Sequence, residues 1–438
     1  MTSLPAPELP SPLSSPENSV HQLADHLFRH ESGKMVAILA GIYGSHRLQM
    51  AEDVVQEALV RALKTWPYSG TPGNPTAWLL RTAKNLAVDQ LRREKCFLGK
   101  QATIIASMER DDGGDGNESS FRDDQLRLMF VCCHPDLPQE TQTALALKTL
   151  CGFSPAEIAR AFFISEAAVS KRLTRARLRI RELALPFAVP EPEELPARLD
   201  GVLGTLYLLF NEGYKASSGA RLVREDLCHG AIRLLRLLTE HSATKGARPF
   251  ALLSLMLLNA ARLPARTDEA GNLLRLHEQD RSAWDQSMIQ DGVFCLALSA
   301  RGDHLSEYHL EAAIAACHST APDEAATDWS RILMLYDQLL LLSDSPVAAL
   351  NRAVAVARVR GPQAGLEAIE EIANGALLEG YHLIHAIRGT FTADLGHPIE
   401  ALAHFRLAAQ LVVLPAERDF LECRIRELER RVSEDVGG

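Results

Sequence analysis

Positive charge is not in surplus in this chain of 438 residues: 46 lysines and arginines stand against 56 acids, a formal charge of -10. An evenly spread balance of that sign would argue against nucleic-acid binding. The eight cysteines form no CxxC pair and no regular framework, which fits a reducing cytoplasm rather than a disulfide scaffold. No apolar run is long enough for a helix across a bilayer core of about 30 Å; the longest, around residues 250–261, falls well short. Alternating β-branched runs are scarce, so a sheet-based fold is excluded. GxGxxG, Walker, HExxH and GxSxG patterns are absent, and no catalytic residue, cofactor or metal is expected.

What is present is helical periodicity. Apolar residues recur at three- and four-residue spacing almost throughout, and the chain reads as all-α. Punctuation divides it. Residues 1–19 form a Pro/Ser-rich lead with neither the basic start nor the apolar core of a signal peptide. A helical block over 20–100 precedes a Gly/Asp/Ser-rich linker at 101–121, and a second block over 122–186 precedes a Pro-rich linker at 187–199. The remainder, 200–438, is a larger helical part. Charge follows the division: residues 1–190 carry 22 basic and 21 acidic side chains, the rest 24 and 35. The acidity therefore belongs to the C-terminal half and leaves the first two blocks free to meet DNA.

The second block contains the most explicit geometry. Ser154, Pro155 and Glu157 supply an N-cap, a first-turn proline and a capping-box acid, with Ile158 and Phe162 as the apolar face of a short helix. After a turn at Phe163-Ile164-Ser165, Val169, Leu173, Ala176 and Ile180 line one side of a second helix. The other side carries Ser170, Lys171, Thr174 and Arg175, and 171–181 holds six basic residues and no acid. Such a helix-turn-helix presents hydroxyl and basic groups to the major groove. Arg172, Arg177 and Arg179 are assigned to flanking phosphates.

In the first block, Val55, Ala58, Leu59, Ala62 and Trp66 face inward, leaving Asp53, Gln56, Glu57, Val60 and Lys64 on an outer face suited to a protein partner. In the next helix, 78–93, a stripe of Leu79, Leu80, Ala83, Leu86, Ala87 and Leu91 leaves Arg81, Lys84, Asn85 and Arg92 projecting outward beside Trp78. Cations and an amide near an aromatic suit unstacked bases of a single strand. A solvated helix face explains the same residues equally well.

The ordered strings AEDVVQEALVRALKTWP, NPTAWLLRTAKNLAVDQLRRE, FSPAEIARAF and AVSKRLTRARLRIREL resemble regions 2 and 4 of extracytoplasmic-function sigma factors of the sigma-70 family. Phe163 stands where many members have Gly in the turn, and Ala168 departs from a common Gly-Thr pair. The resemblance implies that Asp53, Gln56 and Glu57 dock on core RNA polymerase. It further implies that Trp78, Arg81, Lys84, Asn85, Arg92 and Arg93 serve the minus-10 element of promoter DNA, and that Ser170, Lys171, Arg172, Thr174, Arg175 and Arg177 serve the minus-35 element. LMFVCCHPDL, LYLLFNEGY, EQDRSAWD and SPVAALNRAVAVA are similar to a subgroup with a tetratricopeptide-like extension, for which a regulatory role and a regulatory protein partner are implied. A polymerase-independent helix-turn-helix regulator is the rival reading; it leaves the Asp53 face without a purpose.

Within the extension, residues 366–369 are echoed by 399–402, and Gly361 by Gly396, a spacing near that of tetratricopeptide repeats. Two unrelated helical hairpins would give the same pattern. Cys132-Cys133-His134 reads as a buried helix end ahead of Pro135, because adjacent cysteines cannot readily face one ion. The segment 206–214 reads as a core helix stopped by Gly213, and 279–285 as either a buried polar anchor or a ligand contact.

Overall fold

The computed structural model describes residues 31–93, 118–162, 164–214, 224–268, 274–302, 304–372, 380–412 and 415–436. Phe163 and most of the 101–121 linker lie outside this set. The described residues are helical with no β-strand, as the periodicity requires. Two compact units emerge: Met1–Arg160 with Ile164–Thr205, and Ala161–Phe163 with Leu206–Gly438.

The first unit comprises α1 (31–43), α2 (Leu48–Ser69), α3 (Pro75–Arg93), α4 (Glu118–Cys132), α5 (Gln139–Thr149), α6 (Pro155–Phe162) and α7 (Glu166–Glu182), with the start of α8 (Leu195–Tyr214). The helix α4 begins inside the stretch read as linker, and α8 begins inside the Pro-rich one. In α5, QETQTALALKT, residues 142–147 are all buried, while Gln139 and Glu140 at its start are exposed. The long polar side chain within the buried stretch is satisfied there: Gln142 donates to the carbonyls of His134 (3.1 Å) and Leu137 (2.8 Å) and accepts from Thr205 Oγ1 on α8 (3.1 Å). Cys132 and Cys133 end α4 as buried side chains beside this helix, and burial pushes the Cys133 thiol up to about 12. A thiol held neutral in this way packs as a small hydrophobe.

Between α2 and α3 the chain turns at Gly70, whose φ of 84° is open to glycine and strained for other residues. The turn brings Trp66 and Trp78 edge to face with centroids 5.5 Å apart. At the other end of α2, Ser45 Oγ donates to the carbonyl of Leu185, tying the first block to the chain just beyond α7.

The second unit begins with α9 (Glu225–Glu240), α10 (Ala247–Ala260), α11 (Gln286–Ser299), α12 (Glu307–Thr320) and α13 (Trp329–Leu342). Gly213 does not stop α8, which runs on to Tyr214; a Cβ at 213 would stand 2.8 Å from the backbone nitrogen and Sγ of Cys228. Its role is close approach to α9, with its carbonyl accepting from Arg224 N at 2.7 Å. The helices α10 and α11 approach as tightly: a Cβ at Gly292 would meet Leu258 Cγ at 2.7 Å, and Ser254 Oγ donates to the Gly292 carbonyl at 2.7 Å.

Hairpins follow. The pair α14 (Pro346–Arg360) and α15 (Pro362–Glu370) turns at Gly361, φ 96°; the pair α16 (His382–Asp394) and α17 (Pro398–Leu411) turns near Gly396, φ 83°; α18 (Pro415–Val436) closes the series. The sequence echo thus falls on two helix-Gly-helix turns, each with a proline opening its second helix. Their cores succeed one another along the chain, from Ile332 and Val356, through Leu350, Ile384 and Phe391, to Phe405 and Leu421, each contacting its neighbour as in a helical repeat stack. None of the described helices is long and apolar enough to cross a membrane.

Candidate nucleic-acid interface

The helix-turn-helix is built by local chemistry. The Ser154 amide and hydroxyl donate to Glu157 Oε2 at 2.8 and 2.7 Å, and the Glu157 amide returns a bond to Ser154 Oγ at 3.2 Å. This closes the capping box that opens α6. Ser165 caps α7, accepting from the Ala168 amide at 3.1 Å. Val169, Leu173, Ala176 and Ile180 are buried, which fixes the rotation of α7 and turns Ser170, Lys171, Thr174 and Arg175 to the exterior. Thr174 Oγ1 donates back to the Ser170 carbonyl at 2.8 Å, and the residue remains exposed. Arg179 and Arg181 continue the exposed basic row.

Two arginines of this helix depart from the expected row. Arg172 is half-buried and pairs with Glu140 at 2.8 Å, while the exposed Glu140 leaves that pair open to solvent. Arg177 turns inward: it lies beside Leu173 and Ile180 on the buried stripe, and Nη2 meets Glu52 Oε2 on α2 at 2.5 Å. The assignment of Arg177 to a phosphate is therefore corrected for this arrangement, in which its charge is already matched. Glu52 is 5% exposed and also accepts from Thr149 Oγ1 at 2.6 Å. Burial lowers the pKa of neighbouring Lys148, while Glu52 raises it. Glu52 thus anchors the first helical block to the second. Its position three and seven residues before Val55 and Leu59 places an acid on an apolar stripe, the only local signal that it is a buried anchor.

On α2, Asp53, Gln56, Glu57, Val60 and Lys64 form an exposed face, with Glu57 bonded to Arg61 at 3.3 Å. On α3, Arg81, Asn85, Arg92 and Arg93 are exposed and Trp78 is half-buried against Trp66; Arg92 lies 3.9 Å from Asp89. Lys84 is the exception. Expected to project outward, it is 6% exposed, because residues seven apart on a helix nearly superpose and Lys84 shares the azimuth of buried Leu91 and Val88.

Residues assigned to different partners meet in one place. A cleft of about 430 Å³ between the first block and α7 is lined by Asp53, Thr174, Arg177 and Arg181, together with Arg47 and Gln90. The α3 row and the tip of α7 at Lys171 lie outside it. The 279–285 segment resolves as a structural anchor. Gln279 donates to the Leu274 carbonyl at 2.9 Å, Arg281 donates to the carbonyls of His318 (2.8 Å) and Ala321 (2.6 Å), and buried Trp284 is flanked by the Arg262 and Arg281 guanidinium groups. Among the described residues, no group of three or more His, Cys, Asp or Glu is placed to hold a metal ion.

Family models match for sigma-70 region 2 over residues 27–96, for sigma-70 region 4 over 127–180, and for a family of unknown function, DUF6596, over 198–300. An uncharacterized protein of Rhizobium meliloti (strain 1021) is 38% identical over 390 residues, spanning 87% of this chain and 90% of its own length. A probable RNA polymerase sigma factor, RfaY, of Xanthomonas campestris pv. campestris is 30% identical over 133 residues, 30% of this chain and 33% of its own. The ECF RNA polymerase sigma factor SigE of Mycolicibacterium smegmatis is 25% identical over 159 residues, 36% of this chain and 60% of its own. No solved structure matches the chain. The ECF RNA polymerase sigma factor SigL of Mycobacterium tuberculosis (strain ATCC 25618 / H37Rv) is 31% identical over 143 residues, 31% of this chain and 77% of its own. With both regions in order, each carried by the helices described above, and with SigL matched over three quarters of its length, this chain belongs to the extracytoplasmic-function group of the sigma-70 family and carries an additional C-terminal part.

Proposed function

We propose that the chain binds core RNA polymerase through the Asp53, Gln56 and Glu57 face of α2, and directs it to promoters by two DNA contacts. Arg81, Asn85, Arg92 and Arg93, with Trp78, hold the minus-10 strand, while Ser170, Lys171, Thr174 and Arg175 read the minus-35 duplex, with Arg172 at a phosphate. The observation that carries this reading is the exposed, acid-free row on α7, fixed in rotation by a capped and buried opposite side. Such a row suits the major groove, and the separate α3 row suits an opened strand. The chemistry of RNA synthesis belongs to the polymerase.

Two elements whose names place them about 25 base pairs apart lie about 85 Å apart along the duplex, at about 3.4 Å per base pair. Modules joined by the Glu52–Arg177 pair cannot reach both. Engagement therefore requires this pair to open, and Arg177 then becomes available to a phosphate. The extension, from the end of α8 onward, modulates this step or the assembly of the holoenzyme, alone or through a regulatory protein.

Footprinting of the reconstituted holoenzyme on promoter duplexes tests the assignment. Lys171→Ala with Arg175→Ala removes protection at the upstream element, and Arg81→Ala with Asn85→Ala leaves that protection intact while abolishing strand opening downstream. Loss of both signals together in both variants contradicts the division of labour. Ending the chain after Tyr214 tests the extension: unchanged promoter occupancy and opening would remove its modulating role.

A further inference from the structure

The second unit carries a pocket of about 360 Å³ where Arg266, Leu274 and Arg275 meet α16, α17 and α18. Its walls are apolar: Leu383, Ala386, Ile387, Phe405, Phe420 and Leu421. Its polar groups include three arginines, unequally matched. Arg275 lies over the Phe420 ring at 4.7 Å and is bonded to Glu278 at 2.6 Å. Arg424 is bonded to Glu427 at 2.6 Å, and Glu417 stands 3.3 Å from His382.

Arg266 differs from these. Its guanidinium stacks on the Tyr214 ring at 3.8 Å, its Nε is buried with no hydrogen-bond partner, and no carboxylate pairs with it among the described residues. The neighbouring Arg262 is itself cationic, and burial lowers its pKa with Arg266 acting in the same direction. The pocket thus combines an apolar body with a guanidinium that has no carboxylate partner among the described residues.

We infer that this cavity binds a small organic carboxylate with an apolar body, its carboxylate taken by Arg266 and its aliphatic or aromatic part seated against Leu383, Ile387 and Phe405. A carboxylate answers the planar donor fork of an arginine with two parallel hydrogen bonds. The volume sits near the lower end of ligand pockets, which run from about 300 to 1,000 Å³, so it suits a molecule of medium-chain acid size. Because the lining comes both from Arg266, Leu274 and Arg275 and from the last three helices, an occupant would bridge early and late parts of the extension. This deepens the reading of the extension as regulatory and would give it a small-molecule input, yet the binding itself is measured without transcription.

Isothermal titration of the full chain with octanoate, and with octan-1-ol as the neutral counterpart, tests the site. Octanoate is expected to bind saturably at one site per chain, and octan-1-ol at least tenfold more weakly. Arg266→Gln is expected to weaken octanoate tenfold or more while leaving octan-1-ol unchanged, and Ala386→Phe, which fills the cavity, to weaken both. Absence of saturable octanoate binding, equal affinity for the alcohol, or binding insensitive to both folded variants overturns the proposal. Should either variant fail to fold, the acid-to-alcohol comparison on the native chain decides. Ligand binding with no effect on transcription would retain the site and remove only its regulatory link.

Discussion

Arg177 on α7 and Glu52 on α2, 125 positions apart, form a partly buried ion pair at 2.5 Å, and the other Glu52 oxygen accepts from Thr149 on α5. One carboxylate on the first helical block therefore holds two helices of the second. Removing one partner of a buried pair strands the other charge, at a cost of about 3 kcal/mol or more. Arg177→Ala should therefore destabilise the first unit strongly. Glu52→Gln also leaves the Arg177 charge unmatched, but its amide oxygen can still accept from Arg177 while its NH2 donates to Thr149, so it should cost less than Arg177→Ala. Denaturant unfolding with hydrogen exchange in α5 and α7 checks the order; equal, negligible effects would mean that the pair does not hold the blocks together.

Glu311 gives a pH dependence of defined sign. Burial raises its carboxyl to about 7 from an ordinary 4.5, even though Tyr207 donates to it at 3.0 Å. The folded state therefore holds this proton more tightly than the unfolded chain. Its stabilising contribution is complete below pH 4.5 and declines as pH rises towards 7, beyond which the penalty of the buried charge is constant. Glu311→Gln keeps a hydrogen-bond acceptor for Tyr207 and should raise stability at neutral pH by on the order of 1–2 kcal/mol while flattening this window. The difference between the thermal midpoints of the two proteins, followed from pH 5 to 8, provides the check.

The hairpin stack depends on a missing side chain at Gly365. A Cβ there would stand 2.6 Å from the Cβ of Ala357 and 2.8 Å from the Phe391 ring. Three helices, α14, α15 and α16, would have to move apart. Gly365→Ala should therefore cost about 1–3 kcal/mol despite the better helix propensity of alanine. A stabilised variant in differential scanning calorimetry would show that the three helices pack more loosely than described.

Salt dependence separates exposed cations from the buried one. Each cation removed from a DNA phosphate should lower the slope of log affinity against log salt by about 1. Lys171→Ala or Arg175→Ala in the holoenzyme should reduce the slope, whereas Lys84→Ala should lower stability and leave the slope unchanged. Titrations over a range of salt concentrations, paired with melting curves, make the distinction.

Features written in local sequence were legible from the residues alone. Ser154 and Glu157 announce the start of α6 because both halves of the capping box lie within four residues. The exposed row on α7 follows from the spacing of Val169, Leu173, Ala176 and Ile180. Pairings between distant segments were not legible. Arg177 looks like any other basic residue of its run until Glu52 stands opposite it. Gly213 carries the composition of a helix stop, and only the approach of Cys228 shows that it is a packing site. Lys84 marks the limit of assigning a face by residue type: its azimuth lies with Leu91, and position prevails over charge.

Run-off transcription with purified core polymerase tests the central claim most directly, using a template that the full chain selects from a promoter pool. Transcripts should depend on the chain, fall sharply with Lys171→Ala and Arg175→Ala together, and fall with Asp53→Ala and Glu57→Ala through weaker association with the core. Binding of the same DNA by the chain alone, with no chain-dependent transcript from any template in the pool, would contradict the account.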